Sequence, residues 1–512
     1  MTLTIALGNE TATAQLMADL ALLIGGGDTI TLRGDLGAGK TAAARALIRY
    51  LAGDDELEVP SPTFTLAQSY DLPPGPVLHA DLYRIADPGE LEEIGLSPLP
   101  EGTLTLIEWP ERAGPLLPAD RIDIELSHRP ALGSSARAAA ITGHGRGVAI
   151  VERLAALRDF LDDSGFLGAE RRRMAGDAST RSYARLVRDG ASHVLMNSPR
   201  RPDGPALFRG KTYSAAVHLA EDVGPFVAMA GGLRGAGVSA PAIHHADLDT
   251  GFLITEDFGS TPVVEGTPPA PIAERYMAAA ELLASLHGRT LPATLPLAPH
   301  RDYAIPAFDA EAMLIEVGLM LDWYLPDREV AVDDELRRGF EALWRPRLAA
   351  ATAGPRSWML RDYHSPNLIW LADRSGTDRV GVIDFQDTVL GPPSYDLVSL
   401  SQDARVDVPE QLEISLLAHY AKLRRAAEPD FDPAGFAASY ALMSAQRNTR
   451  LLGTFARLNR RDGKPHYLRH QPRIWTYLTR ALAHPSLAEV KAWFAAHVPP
   501  PAAFTADSPN RG

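Results

Sequence analysis

GDLGAGKT, residues 34–41, decides the fold of the first part of the chain. It satisfies G-x-x-x-x-G-K-[ST], follows the β-rich run TITLR at 29–33 and precedes a helical pattern at 41–51, the strand–loop–helix setting that a phosphate-binding loop requires. Glycines let such a loop curl, so the backbone of Gly34, Asp35, Leu36, Gly37, Ala38 and Gly39 can present N–H groups to phosphate oxygens while the helix N-terminus adds partial positive charge. Lys40 is expected to reach the β- and γ-phosphates and Thr41 to ligate magnesium. Outward from the loop, apolar runs at 77–82, 103–109 and 121–126 and a helical pattern at 11–23 predict an α/β domain with a largely parallel sheet. Such sheets bind ligands at the C-terminal strand ends, where Asp81 and Glu108 stand. Glu108 is placed to polarise an attacking water or to hold magnesium through water.

At 512 residues the chain exceeds one hydrophobic core and should fold as two to four domains. With no cysteine it excludes disulfides, thiolate metal sites and cysteine nucleophiles, leaving oxygen and imidazole ligands that suit a hard cation. No run of eighteen apolar residues appears and MTLTIALGNE lacks the basic flank of a secretion signal, so a cytoplasmic protein without membrane contact is expected. The net charge of −14 is uneven: residues 1–128 hold 20 Asp+Glu against 7 Lys+Arg, the remainder 44 against 43. An acidic first domain repels a nucleic-acid backbone and would meet RNA through a partner.

Four segments in series, GDLGAGKT, SPTFTL (61–66), HADLYR (79–84) and LIEWPE (106–111), resemble the small ATPase subunit of the bacterial machinery that makes threonylcarbamoyladenosine in tRNA. The resemblance implies ATP binding and slow hydrolysis, dependence on partner transferase subunits, and action at position 37 of tRNA. It also implies that Thr63 lies in a switch-like loop, Asp81 and Glu108 near magnesium, and Trp109 near the nucleotide.

RPALGSSARAAAITGHGRG, residues 129–147, is poor in large apolar side chains and reads as a linker between a domain at 1–128 and a second at 148–497. The second begins β-rich and becomes helical beyond residue 270, the layout of a bilobal, protein-kinase-like α+β domain; the tail 498–512 reads as disordered. RDYHSPN (361–367) holds D-x-x-x-x-N, and VIDFQD (382–387) follows on a strand. Phosphoryl transfer needs an Asp at the acceptor hydroxyl, an Asn gripping metal and a second Asp bridging metal to phosphates; Asp362, Asn367 and Asp384 fill those places in order. GDASTRSYARL (176–186), with Ser179 and Thr180, is expected to cover the nucleotide, and backbone near Glu256 and Phe258 to meet adenine. Asp396 is expected to brace the catalytic loop and His364 to position it.

These segments resemble the aminoglycoside-phosphotransferase superfamily. GDASTRSY, VLMNSP, RDYHSPNLI, VIDFQD and QRNTRLLGTFARLNRRDGKPHYL are similar to its anomeric kinases for N-acetylmuramate and N-acetylglucosamine, which implies an amino-sugar substrate and a place in cell-wall recycling. Residues 447–480 carry nine Lys+Arg against one acid, so Arg447, Arg450 and Arg457 are candidates to receive an acidic substrate, or else part of a solvated basic face. Met196 stands where protein kinases place a phosphate-gripping lysine. Two other readings stay open: a kinase for an aminoglycoside or an amino alcohol such as choline, and a nucleotide-binding scaffold without turnover.

Overall fold

The computed structural model describes residues 1–93, 96–174, 181–200, 204–206 and 208–502. Two compact units partition the chain: residues 1–199 with 244–257, and 200–243 with 258 onwards.

The first unit opens on a seven-stranded sheet of β1 (Thr2–Leu7), β2 (Thr29–Arg33), β3 (Ala67–Leu72), β4 (Gly75–Asp81), β5 (Leu104–Glu108), β6 (Arg121–His128) and β7 (Arg137–His144), in spatial order β1-β7-β6-β2-β5-β4-β3. The strands β4, β5, β2 and β6 run parallel and the other three are antiparallel to their neighbours. Central parallel strands are covered on both faces, so all of LTLIE and all of TITLR but Arg33 are buried, threonines and Glu108 included. Leu16, Met17 and Leu20 of α1 (Glu10–Ala21) and Leu47, Ile48 and Leu51 of α2 (Lys40–Ala52) close over Ile30, Leu32, Leu106 and Ile124.

The expected linker at 129–147 is not one. Its second half is β7, paired on one side with β1 and on the other with β6. Large side chains are scarce there because the backbones come too close to admit them. A Cβ on Gly143 would stand 2.3 Å from the Gly147 carbonyl oxygen, and one on Gly147 2.2 Å from that of Arg121. Gly143 and Gly147, which read as slack, mark tight packing, and the first sheet ends at His144 instead of residue 128.

From that contact α3 (Gly147–Asp163) runs out with no interior Gly or Pro. Val151 and Leu154 at its start belong to the first core, while Leu157 and Leu161 enter a second core with Phe166, Leu186, Leu195, Phe252 and Ile254. That second core backs a five-stranded sheet of β8 (Glu170–Arg173), β9 (Ser182–Arg188), β10 (Ala191–Asn197), β11 (Ile243–Asp247) and β12 (Phe252–Glu256), in order β11-β12-β10-β9-β8. Helix α1 also reaches it. Asp19, fully buried, accepts from Arg171 Nε of β8 at 2.9 Å and Arg158 Nη1 of α3 at 2.7 Å. The Leu22 carbonyl accepts from Ser182 Oγ at 2.7 Å and Asn197 Nδ2 at 3.1 Å.

The second unit is mainly helical: α4 (Gly224–Gly235), α5 (Ala273–His287), α6 (Ala310–Leu319), α7 (Asp334–Ala353), α8 (Ser394–Ser401), α9 (Glu410–Ala427), α10 (Pro433–Arg460), α11 (Gln471–Ala481) and α12 (Ala488–His497). Within it, Ser357–Met359 pairs with Val389–Gly391 and Leu368–Trp370 with Val380–Val382, both antiparallel. The α/β domain and the β-rich-then-helical kinase layout are thus both present. The tail expected to be disordered starts packed: Val498 is buried and the Pro499 carbonyl accepts from Tyr324 Oη at 2.9 Å, while 503–512 lie outside the described residues. Among the described residues no helix is long and apolar enough to cross a membrane.

Candidate active sites

The phosphate-binding loop spans the gap between β2 and α2, with positive φ at Gly34 (132°), Gly37 (81°) and Gly39 (106°). Position 34 also admits no side chain, since a Cβ there would stand 2.3 Å from the Leu126 carbonyl oxygen. Asp35, Leu36 and Gly37 are exposed and Ala38 is buried. Lys40 Nζ donates to the Gly34 and Asp35 carbonyls at 2.7 and 2.9 Å and lies 3.6 Å from the centroid of the Trp109 ring. Burial pushes the Lys40 ammonium below its ordinary range, against the pull of Glu108, Glu111, Asp81 and Asp35.

Because β4 and β5 are parallel neighbours, Asp81 and Glu108 stand side by side at their C-terminal ends. Thr41 Oγ1 donates to Glu108 Oε2 at 2.9 Å, and His79 Nε2 lies 3.0 Å from Glu108 Oε1 in a fully buried contact. Ser61 Oγ and Thr63 Oγ1 donate to Asp81 Oδ2 at 2.7 and 2.9 Å. The loop 61–66 is thereby tied to one strand-end acid and the first turn of α2 to the other. Trp109 leaves β5 with a positive φ of 57° and packs against Tyr83 at 5.1 Å. Sequence reasoning gave no role to His79 or Ser61, although both sit inside the quoted motifs.

In the second unit, the segment from Arg361 to Asn367 lies between two short strands and is held from below. Both carboxylate oxygens of the buried Asp396 accept from it, from Leu360 N at 2.7 Å and Arg361 N at 2.9 Å. Buried Asp403 accepts from Ser365 N at 3.0 Å. Asn367 Nδ2 donates to the Asp362 carbonyl at 3.0 Å and to Asp384 Oδ2 at 3.3 Å, so Asp362, Asn367 and Asp384 converge. Gln386 Nε2 donates to Asp384 Oδ1 at 3.0 Å.

The Asp362 side chain stays 31% exposed. Burial works to raise its carboxyl, but the charges of His364, Arg450, Arg361 and Arg447 outweigh that and hold it below the usual carboxylate range. Burial pushes the His364 imidazole below its ordinary range. His364 Nε2 lies 4.0 Å from Asp362 Oδ1 and 3.3 Å from Arg405 Nη1.

Ser179 and Thr180 lie outside the described residues. Glu256 ends β12 in the first unit, and Phe258 belongs to the second, where its ring lies over Gly381. Met196 is buried in β10, with Tyr183 and Leu253 as register partners. The expected basic face of α10 is largely interior: Arg447 is 2% exposed, and Arg450 and Arg457 are half-buried, the latter 4.9 Å over the Tyr213 ring.

Both candidate metal positions offer oxygen donors, Thr41, Asp81 and Glu108 in one and Asn367 and Asp384 in the other. Among the described residues no three His, Asp or Glu side chains form a protein-only cage. That donor set fits magnesium, which is commonly held by one or two carboxylates together with substrate phosphates.

The fold and these two constellations define a chain with two separate sites for phosphate chemistry, a P-loop and a kinase-type catalytic loop. Residues 170–434 match the phosphotransferase enzyme family, to which the chain belongs, and residues 7–136 match the family of threonylcarbamoyl adenosine biosynthesis protein TsaE, which its N-terminal part joins. It is 38% identical over 361 residues to an N-acetylmuramate/N-acetylglucosamine kinase of Caulobacter vibrioides, covering 68% of this chain and 97% of that protein. Identity to a kinase of the same name from Pseudomonas aeruginosa is 32% over 320 residues, 62% of this chain and 85% of the relative. A tRNA threonylcarbamoyladenosine biosynthesis protein TsaE of Rickettsia bellii is 39% identical over 120 residues, 23% of this chain and 83% of its own length.

Proposed function

We propose that the chain is a bifunctional cytoplasmic enzyme. Its first domain, through His144, is the ATPase subunit for threonylcarbamoyladenosine formation at position 37 of tRNA, and acts with partner transferase subunits. Its second is an ATP-dependent kinase for N-acetylmuramate and N-acetylglucosamine. The convergence of Asp362, Asn367 and Asp384 carries the kinase reading.

The roles follow from the chemistry of each group. Asp362, ionised and partly exposed, accepts a hydrogen bond from the sugar hydroxyl and aims its oxygen at the γ-phosphate. Its carboxylate orients the hydroxyl or takes its proton. Asn367 and Asp384 would hold magnesium, which would supply positive charge against the phosphates. In the first domain the loop amides and Lys40 bind the phosphates, and Thr41, Asp81 and Glu108 would hold magnesium. The Glu108–His79 contact fixes the carboxylate that faces the attacking water.

The test is incubation of the purified chain with ATP and each sugar, watching for sugar phosphate by phosphorus NMR. Parallel arms use choline and an aminoglycoside. Sugar phosphate is expected; turnover of choline or the aminoglycoside alone would replace this reading. Threonylcarbamoyladenosine formation by the transferase subunits should depend on added chain.

A further inference from the structure

Around Asp362 several buried donors are left without hydrogen-bond partners. Glu316 of α6 has no solvent exposure and accepts from Arg361 Nη2, from Arg450 Nη1 at 3.3 Å and from Gln446 Nε2 at 2.9 Å. One carboxylate therefore serves two guanidinium groups. A third, Arg447, is 2% exposed, has no ion-pair partner among the described residues and donates to the Gln402 carbonyl at 3.3 Å. The Nε atoms of Arg447 and Arg450 are buried without hydrogen-bond partners, and so is the hydroxyl of Tyr395, a side chain with no exposure. Tyr395 lies in the field of Arg450, Glu316, Arg447 and Arg361, and Asp362 in that of three of the same arginines. Buried donors are ordinarily matched by an acceptor. Donors left open in this way suit an acceptor-rich anion.

We propose that Arg447, Arg450 and the Tyr395 hydroxyl form an anion subsite beside Asp362 that takes a carboxylate carried by the acceptor sugar. The inference rests on the kinase reading above and adds to it which substrate the pocket is shaped for: an acidic amino sugar, with its neutral counterpart bound less well. Arginine suits the task because its fork meets both oxygens of a carboxylate, and a hydrogen bond to an ionised group is stronger than one between neutral groups. Tyr395, which no sequence signal marked, becomes a specificity-determining residue.

N-acetylmuramate and N-acetylglucosamine differ by the lactyl ether that bears the carboxylate, so their kcat/KM ratio isolates the subsite. Tyr395→Phe keeps the ring and removes only the hydroxyl. It should lower kcat/KM for N-acetylmuramate about tenfold more than for N-acetylglucosamine, mainly through KM. Arg450→Gln should shift the ratio further in the same direction, and Arg450→Lys should restore part of it. Equal losses on both sugars in Tyr395→Phe and Arg450→Gln would overturn the proposal. If the unmodified chain phosphorylates neither sugar, the kinase reading fails, and the subsite is judged by lactate alone. Lactate should then raise the melting temperature of the unmodified chain and not of Arg450→Gln, and equal shifts would reject it. Arg447→Gln, the most buried variant, is read only if its circular dichroism matches the parent.

Discussion

Replacing Asp19 by Asn should destabilise the first unit by about 3 kcal/mol. The carboxylate is fully buried and meets Arg171, whose side chain is 1% exposed, and Arg158, which is 18% exposed. Breaking a buried pair by removing one partner costs roughly 3–5 kcal/mol because a charge is stranded. The lower end applies here for two reasons. Arg158 can turn to water, and Arg171 keeps Nη1 donating to the Leu167 carbonyl at 2.7 Å. For a unit of roughly 200 residues, each kcal/mol lowers the melting temperature by about 2–4 °C, so a fall of about 6–12 °C is expected. Differential scanning fluorimetry measures it, and hydrogen exchange locates it: α1 and β8 should open together. Replacing Asp19 by Leu and Arg171 by Met at once should recover most of the loss, because no charge is then left inside. A shift under about 2 °C, or faster exchange in α1 with β8 untouched, would refute the stranded-charge account.

Lys40→Ala should abolish ATP hydrolysis by the first domain and support of tRNA modification while sugar phosphorylation persists, measured by the two assays side by side. Asp362→Asn should cut kcat by two or more orders of magnitude with nucleotide affinity nearly intact, on the order expected for loss of a positioned acid–base group. Asp384→Asn should weaken nucleotide binding as well, and calorimetry with an ATP analogue separates the two. Burial holds His287 and His364 below their ordinary range and His470 at about 4. Between the ordinary value near 6.5 and these depressed values the unfolded chain binds protons that the folded chain refuses. Stability of the helical unit is therefore complete above about pH 6.5 and falls as pH drops toward about 4, which melting curves at stepped pH will follow.

What was legible in the sequence was local. The P-loop, the strand-end acids and the Asp–Asn–Asp set depend on spacing within one loop or between neighbouring strands, so a linear reading finds them. The β7 strand was missed because alanine and glycine, which permit close backbone approach, read as slack when side-chain size is the signal for a core. Asp19 with Arg171, and Glu316 with Arg361 and Arg450, join residues 152, 45 and 134 positions apart, and no periodicity announces such partners. The basic segment at 447–480 was legible as charge but not as location. Arg447 is interior because α10 is the helix around which the second unit packs, so a helix this polar can still be buried.

Helix α3, about 25 Å long at 1.5 Å per residue, has its first turns in one core and its last in another. Two catalysts joined by a flexible tether can be cut apart, made in different amounts, or lost one at a time. These two cannot. A helix shared by two cores leaves no such seam: Val151 and Leu154 pack with the sheet before it, Leu157 and Leu161 with the sheet after it. On the proposed function, one chain carries both activities and so fixes their ratio at one to one.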